Sequence, residues 1–482
     1  MHCCSGAPPA RLVVRTCPDR MLDRPPPTVC TAPSIPLPHR TTVFGLRRPP
    51  VVTRCGLPLR SGSERGTPVV TYSNGGVMVH EPKAPVIPYK RTCPFDPAAE
   101  YARLREEDPI SPVTFELAPG DKNGWLVTRR DHIRQIMADP RFSHRSELLA
   151  LVHSPPFPVE DYSPEPSAPG NFVRMDAPEH TRYRRLLTGF FTVRKIQQYE
   201  PELAGIIDGV LDEMAAMQPP VDLVKVFAER ISARSTCSIM GVAESDLAAL
   251  AEHFSVIMRI DYTLDEFIHH SSELNATLER MMAARFAGPP ADDLFGQLIA
   301  SGELTEQEMF NVAWIVIGGA LDTTPNMFAL GTFALLEHPE QLARVRERPE
   351  LMENTVEELL RYLTISHFGA SRVALEDVEI DDMTIKAGQT VVLSLPSANR
   401  DPRYFENADE FDIDRPTRGH LAFGFGIHQC LGQHLARASL RIGFQKLFDR
   451  FPDLRLAVPA EQVPLRETAM HYGVYELPVT WG

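Results

Sequence analysis

The chain has 482 residues, 43% hydrophobic content and a net charge of −14. That is enough apolar material for a well-buried core, and the acidic balance argues against a nucleic-acid partner. Beyond the first 77 residues only Cys93, Cys237 and Cys430 remain, far apart and with no C-x-x-C pair; this disfavours zinc and suits a reducing, cytoplasmic compartment.

Residues 1–77 differ from the rest. They hold ten Arg, no Lys and three acidic residues, a local charge of +7 that leaves −21 for the remainder. Thirteen of the 44 prolines and five of the eight cysteines lie here, without sustained apolar periodicity. The expectation is a disordered head outside the fold, followed by one domain over 78–482. An Arg-rich targeting peptide and a genuine tail are alternatives. The favoured reading is upstream DNA translated from too early a start, with Met78 as the start and Asn74-Gly75-Gly76-Val77 encoding a ribosome-binding sequence. No run reaches the ~20 apolar residues of a membrane span, so no membrane anchor is expected.

Residues 94–108 read as an opening segment with a short helix, and 123–131 as a strand leaving a turn. Residues 154–171 carry Pro155, Pro156, Pro158, Pro164, Pro166 and Pro169 and cannot be a regular helix. They form a surface loop or the wall of a pocket. His180 and Arg184, spaced i,i+4, share a face of a basic helix that is either solvated or binds an anion.

The clearest helix starts at Thr305, which forms a capping-box pattern with Glu308; apolar character runs to Leu336, and His338-Pro339 ends it. About 30 residues at 1.5 Å each span roughly 45 Å, enough to cross a domain. Inside it lies Gly318-Gly319-Ala320-Leu321-Asp322-Thr323-Thr324. Two mid-helix glycines cost roughly 1 kcal/mol each relative to Ala, which points to close approach of a ligand. Asp322 and Thr323 offer an acid and a hydroxyl for proton transfer, or simply bond back to the preceding turn. Ile315, Gly318, Gly319 and Thr323 share one face by helical spacing. Pro325 removes the bond to the Leu321 carbonyl, and a local kink is expected. Glu358 and Arg361, at i,i+3, face the same way as a pair that is usually solvated. From 378 to 395 the pattern shifts to strands around a turn at Asp381-Asp382. The fold class is mainly α with small β-sheets.

The most specific segment is Phe423-Gly424-Phe425-Gly426-Ile427-His428-Gln429-Cys430-Leu431-Gly432, ahead of a helix-like run over 431–451. Gly424 and Gly426 permit a tight loop. A helix start favours a thiolate, the metal-binding form of cysteine. Alone, the segment fits either a haem ligand or an inert buried thiol.

This loop resembles the haem-binding signature of the cytochrome P-450 family, F-x-x-G-x-[HR]-x-C-x-G, at every defined position: Phe423, Gly426, His428, Cys430 and Gly432. The resemblance extends over about 93–481 and is nearest to the soluble actinobacterial branch. It implies a single-domain fold with the long helix over a haem b, Cys430 as axial ligand, and Phe423, Gly424 and Gly432 around it. It implies propionate partners at His180, Arg184, Arg372 and His428, and Asp322-Thr323 as the acid–alcohol pair that protonates dioxygen. Glu358-Arg361, joined by Arg415, would be a buried structural pair behind the haem. Ile315, Gly318, Gly319, Phe368 and the proline-rich loop would line the substrate pocket. The implied activity is a haem-thiolate monooxygenase acting on an apolar small molecule. Electrons would come from NAD(P)H through a separate ferredoxin reductase and ferredoxin, docking where Arg437 and Arg441 are exposed. A peroxide-driven peroxygenase and a non-catalytic haem protein are the alternatives, both disfavoured by Asp322-Thr323.

Overall fold

The computed structural model describes residues 69–73, 76–80, 86–91, 93–155, 159, 162–289 and 291–482, with backbone alone for 69–80. Most of the expected head lies outside these residues. Its described end forms strand β1 (Val69–Ser73), which pairs antiparallel with β2 (Gly76–His80), so a boundary at 77 would cut through β2. Part of the proline-dense loop, including Pro156 and Pro158, also lies outside them.

The helices are α1 (Glu100–Glu107), α2 (Arg130–Ala138), α3 (Glu179–Thr188), α4 (Val193–Ala215), α5 (Glu229–Met240), α6 (Glu244–Ile257), α7 (Leu264–Ala287), α8 (Leu294–Ser301), α9 (Glu306–Glu337), α10 (Pro339–Glu347), α11 (Met352–Leu363), α12 (Leu395–Ala398) and α13 (Gln433–Arg450). The further strands are β3 (Ile110–Thr114), β4 (Asn123–Val127), β5 (Phe142–Ser143), β6 (Val221–Asp222), β7 (Ala370–Ala374), β8 (Val378–Ile380), β9 (Met383–Ile385), β10 (Thr390–Leu393), β11 (Arg455–Leu456) and β12 (Pro478–Thr480). The main sheet runs β3-β4-β10-β7-β5, parallel only between β4 and β10. A smaller sheet, β11-β12-β6, gathers the chain end.

The 32-residue helix α9 organises the rest. Its capping box forms as the sequence dictates: Thr305 Oγ1 accepts from the Glu308 N–H at 3.2 Å, and Glu308 Oε2 accepts from the Thr305 N–H at 2.8 Å. The Glu308 carboxylate also accepts from Arg182 at 2.5 Å and Tyr183 at 2.7 Å, which ties α3 to the start of α9. Pro325 does not interrupt the helix. Thr323 and Asn326 give side-chain bonds to the Gly319 and Asp322 carbonyls on this stretch.

A helix apolar on most faces must be buried on most faces. The first half of α9, from Met309 to Leu321, packs with α3, α6, α7 and α8; the second half, from Met327 to Leu335, packs with α4, α11 and α13. Between α9 and α13 the contact is reciprocal. A Cβ on Gly443 would sit 2.4 Å from the Phe328 ring, and one on Gly331 would sit 2.7 Å from the Phe444 ring. Each phenyl therefore occupies the space the opposite glycine leaves free. The rings meet edge to face at 5.4 Å. Fully burying such a ring contributes roughly 1.5–3 kcal/mol.

Candidate active site

The segment ahead of α13 folds as a tight loop. Gly424 and Gly426 have φ of 69° and 79°, the left-handed region that glycine tolerates. A Cβ on Gly426 would strike the Met137 carbonyl oxygen at 2.6 Å. The Cys430 N–H donates to the Phe423 carbonyl at 2.9 Å and closes the loop. The helix starts at Gln433, not at 431, with Gly432 as its N-cap. Burial pushes the Cys430 thiol up, opposed by the Gly432 N–H and by the charges of Arg184 and Arg437. Cys430 is nevertheless accessible. Leu431 and Leu435 pack on the same apolar cluster as Ile315, Val316 and Ala320 of α9, so the Cys430 loop and the middle of α9 share one core.

Beneath this loop lies a sealed network. Glu358 and Arg361 are both 0% exposed and joined twice, at 2.7 and 2.8 Å. Arg361 also donates to the Asn399, Ala408 and Glu410 carbonyls. Arg415 reaches Glu358 at 3.2 Å. The surface pair that E-x-x-R usually denotes is excluded here.

A second cluster combines histidines and arginines. The rings of His144, His428 and His180 lie in a row, with centroids 3.6 Å and 4.1 Å apart. Both ring nitrogens of His180, and Nε2 of His144 and of His428, lack a hydrogen-bond partner among the described residues. Burial, then neighbouring cationic groups, depresses all three: His428 falls to about 3, through His180 and Arg372 after burial. Arg372, on β7, is buried and, among the described residues, donates only to the Ser371 carbonyl. Arg184 donates to the Gln429 carbonyl at 2.6 Å. Arg174 is accessible yet lowered by burial, and its charge acts on Arg372 and His144. The nearby carboxylate, Asp176, is taken by the Ser143 hydroxyl and the His144 N–H. Cations and unpartnered imidazoles without a matching anion fit a ligand that carries carboxylates.

On α9, the Thr323 hydroxyl donates to the Gly319 carbonyl at 2.6 Å. Its oxygen keeps its acceptor capacity. Asp322 does not face solvent. It is 6% exposed and bonded to Arg466 at 3.0 Å and His471 at 2.5 Å. Gly319 is open, a Cβ there meeting nothing within 4 Å, and Ile315 is half-buried.

Two residues expected at the pocket pack against neighbouring side chains. A Cβ on Gly318 would meet the Phe254 ring at 2.7 Å, so that glycine makes room for α6. Phe368 is 3% exposed and packed among Tyr89, His153 and His367, inside a core cluster. The proline-dense loop ends on α9 instead: Asn311 donates to the Pro169 carbonyl at 2.7 Å. Arg437 and Arg441 are not free cations, being paired with Glu357 and Glu200 at 2.5 and 2.7 Å.

A cytochrome P-450 family model matches residues 239–474, which span α9, the E-x-x-R pair and the Cys430 loop. Pentalenic acid synthase of Streptomyces avermitilis is 38% identical over 411 residues, covering 84% of this chain and 99% of that protein. The chain belongs to the cytochrome P-450 family. Vitamin D3 dihydroxylase of Streptomyces griseolus is 37% identical, covering 83% of this chain and 97% of the relative. The crystal structure of CYP105P1 in complex with filipin I superposes with a TM-score of 0.76 at 38% identity, covering 83% and 99% of the two chains. This P-450 has the family's mainly helical fold with small sheets. It is a monooxygenase of small organic substrates, and its family's cofactor is haem. Among the described residues no helix is long and apolar enough to cross a membrane.

The sequence reading missed His144, Arg174, Arg466 and His471. None sits in a recognisable spacing, because each reaches the site through chain segments that meet only in the fold.

Proposed function

We propose that this P-450 inserts one oxygen atom into a mid-sized apolar molecule, with Cys430 as the haem thiolate and Asp322-Thr323 as the proton-delivery pair. The observation that carries this reading is the accessible thiol of Cys430 in a closed loop, on the same core as the glycine-opened middle of α9. Arg372, Arg184, His180 and His428 would hold the haem carboxylates; this accounts for their missing partners. Arg174 and His144 would strengthen the same field. Haem, when bound, supplies the activation of dioxygen, which consumes two electrons and two protons and releases one oxygen atom as water.

The chain's own part is steric and protic. Phe423 and Gly432 fix the Cys430 backbone, while the Glu358-Arg361-Arg415 network holds the support of that loop. Thr323 has committed its proton to Gly319 and therefore acts as an acceptor toward a protonated oxygen or a water. Asp322 is one residue away but turned about 100° around the helix. A proton passing between them needs a water or a side-chain rotation. The apolar cluster of Ile315, Val316 and Ala320 excludes bulk water and suits an apolar substrate.

Electrons would come from NAD(P)H through a ferredoxin reductase and a ferredoxin, in the cytoplasm. The face behind the Cys430 loop holds a cavity of ≈ 200 Å³ lined by Arg130, Arg134, Gly424, Phe425 and Gln429. Arg134 is exposed there and stacks on Phe425 at 4.3 Å, offering a cation to an acidic partner.

The test is spectroscopic. Reduced protein under carbon monoxide should give the strongly red-shifted Soret band of thiolate ligation, and Cys430→Ser should lose that band or lose haem. A variant that keeps the band removes Cys430 from the ligand position. For the proton pair, Thr323→Ala should bind substrate and consume NAD(P)H while product per NAD(P)H falls and hydrogen peroxide rises. Unchanged yield without added peroxide would leave Thr323 as an ordinary helix residue.

A further inference from the structure

Asp322 has no direct route to water. Its carboxylate is turned to the hairpin that precedes β12. Oδ1 accepts from Arg466 Nη2 at 3.0 Å and from Asn326 Nδ2 at 3.3 Å, while Oδ2 lies 2.5 Å from His471 Nδ1. Any proton that leaves Asp322 must be replaced through one of these three groups. A guanidinium and an amide are hydrogen-bond donors without a proton to relay. Imidazole gains and loses protons in that range. His471 is also the one of the three that is substantially accessible, at 30% of its side chain against 10% for Arg466, with Asn326 buried.

The hairpin holds this geometry firmly. The Arg466 N–H donates to the Gly473 carbonyl at 2.9 Å, and Leu465 bridges Val474. The Tyr472 N–H donates to the Ile365 carbonyl at 2.8 Å, and Ser366 bridges His471. A Cβ on Gly473 would lie 2.2 Å from the Asn326 amide oxygen, so a glycine there is what lets the hairpin approach α9. The side chain one turn from Asp322 and the backbone next to His471 are therefore in contact.

We propose that His471 is the proton-relay residue that reloads Asp322 from solvent during turnover. This rests on the reading of Asp322-Thr323 as the proton-delivery pair. A proton arrives from water at Nε2, and the Nδ1 proton passes to Asp322 Oδ2. The ring is left as the Nε2–H tautomer; it resets when it swings off Asp322, Nδ1 taking a proton from water and Nε2 giving one up to water. No electrons move. Arg466 keeps the carboxylate charged between transfers. Burial alone would push Asp322 up, but the His471 bond and charge, with the Arg466 charge, outweigh it and hold the carboxyl below its usual range. Around the neighbouring Tyr472 lie Arg91, His367, Glu467 and Cys93.

The haem-loaded enzyme with its electron donors tests this. His471→Gln should keep the melting temperature and the carbon monoxide band, yet lose turnover by ~10²-fold, within the usual range for one acid–base group. Asp322→Asn should show a similar loss. In the diamagnetic carbon-monoxide form, a strongly deshielded His471 Nδ1–H proton resonance should be present and should vanish in both variants. A His471→Gln enzyme with wild-type turnover, beside a defective Asp322→Asn, overturns the relay and leaves the pair intact. Wild-type behaviour of both variants sinks the pair itself. Should His471→Gln fail to fold, the wild type still decides: turnover and product per NAD(P)H that stay flat from about pH 6 to 9 rule out a histidine relay.

Discussion

Glu358 and Asp322 are both buried carboxylates paired with arginine, yet their surroundings differ in one respect. Every neighbour of Glu358 is another protein donor: Arg361, Arg415 and the Asp412 N–H, in a region without solvent access. Asp322 has an arginine as well, but its other oxygen meets a histidine that reaches accessible space. Burying charge is costly, and a sealed pair recovers that cost only through complete hydrogen bonding. The first pair fixes a shape. The second, with a histidine partner that reaches accessible space, is the one proposed to exchange a proton. The same chemistry thus serves support or transfer according to whether one member can reach water.

The comparison breaks most visibly at the sealed pair. Glu358→Gln leaves Arg361 buried without its counter-charge, and removing one partner of such a pair costs about 3–5 kcal/mol. Melting temperature and haem content should both collapse; a variant that melts like the wild type would show that the network is not structural. A smaller effect is expected at the open end. Gly318→Ala places a methyl against the Phe254 ring and should cost about 1–3 kcal/mol through overpacking. A neutral melting temperature would mean that α6 yields and that Gly318 was kept for the pocket after all. The smallest effect concerns pH. Burial opposes it, but the bonds from His420 and Arg437 hold Glu357 down at about 2. A lowered carboxyl stabilises the fold above its ordinary range, and this contribution fades as pH falls toward 2. Glu357→Gln should therefore melt lower at pH 7, with the gap to wild type closing in acid. A gap that stays constant with pH would assign the loss to packing.

Much of the site was legible because its residues act through local geometry. The capping box at Thr305, the one-face spacing of Glu358 and Arg361, and the left-handed glycines ahead of Cys430 depend on neighbours within a few positions. What the sequence concealed is non-local. His144 stacks on His428 from 284 positions away, a partnership no spacing announces. Phe368 reads as a pocket residue by its place after α11, but its ring is drawn into the cluster around Tyr89, which only the folded chain provides. Arg437 reads as an exposed cation until Glu357 of α11 is laid against it. The helix start was misplaced by two residues because Leu431 belongs to the apolar cluster and Gly432 serves as the cap.

The exchanged phenyl rings of α9 and α13 bear on how such an enzyme can change its diet. Phe328 and Phe444 set the spacing between the helix that carries Asp322-Thr323 and the helix that follows Cys430, and neither lies among the residues around Ile315, α6 or the proline-dense loop. Mutations that reshape those walls leave the gauge between the two halves of the proposed site untouched. A lineage, or a directed-evolution campaign, can thus wander through substrates while the oxygen chemistry keeps its calibration; a single methyl added at Gly331 or Gly443 would disturb every substrate at once.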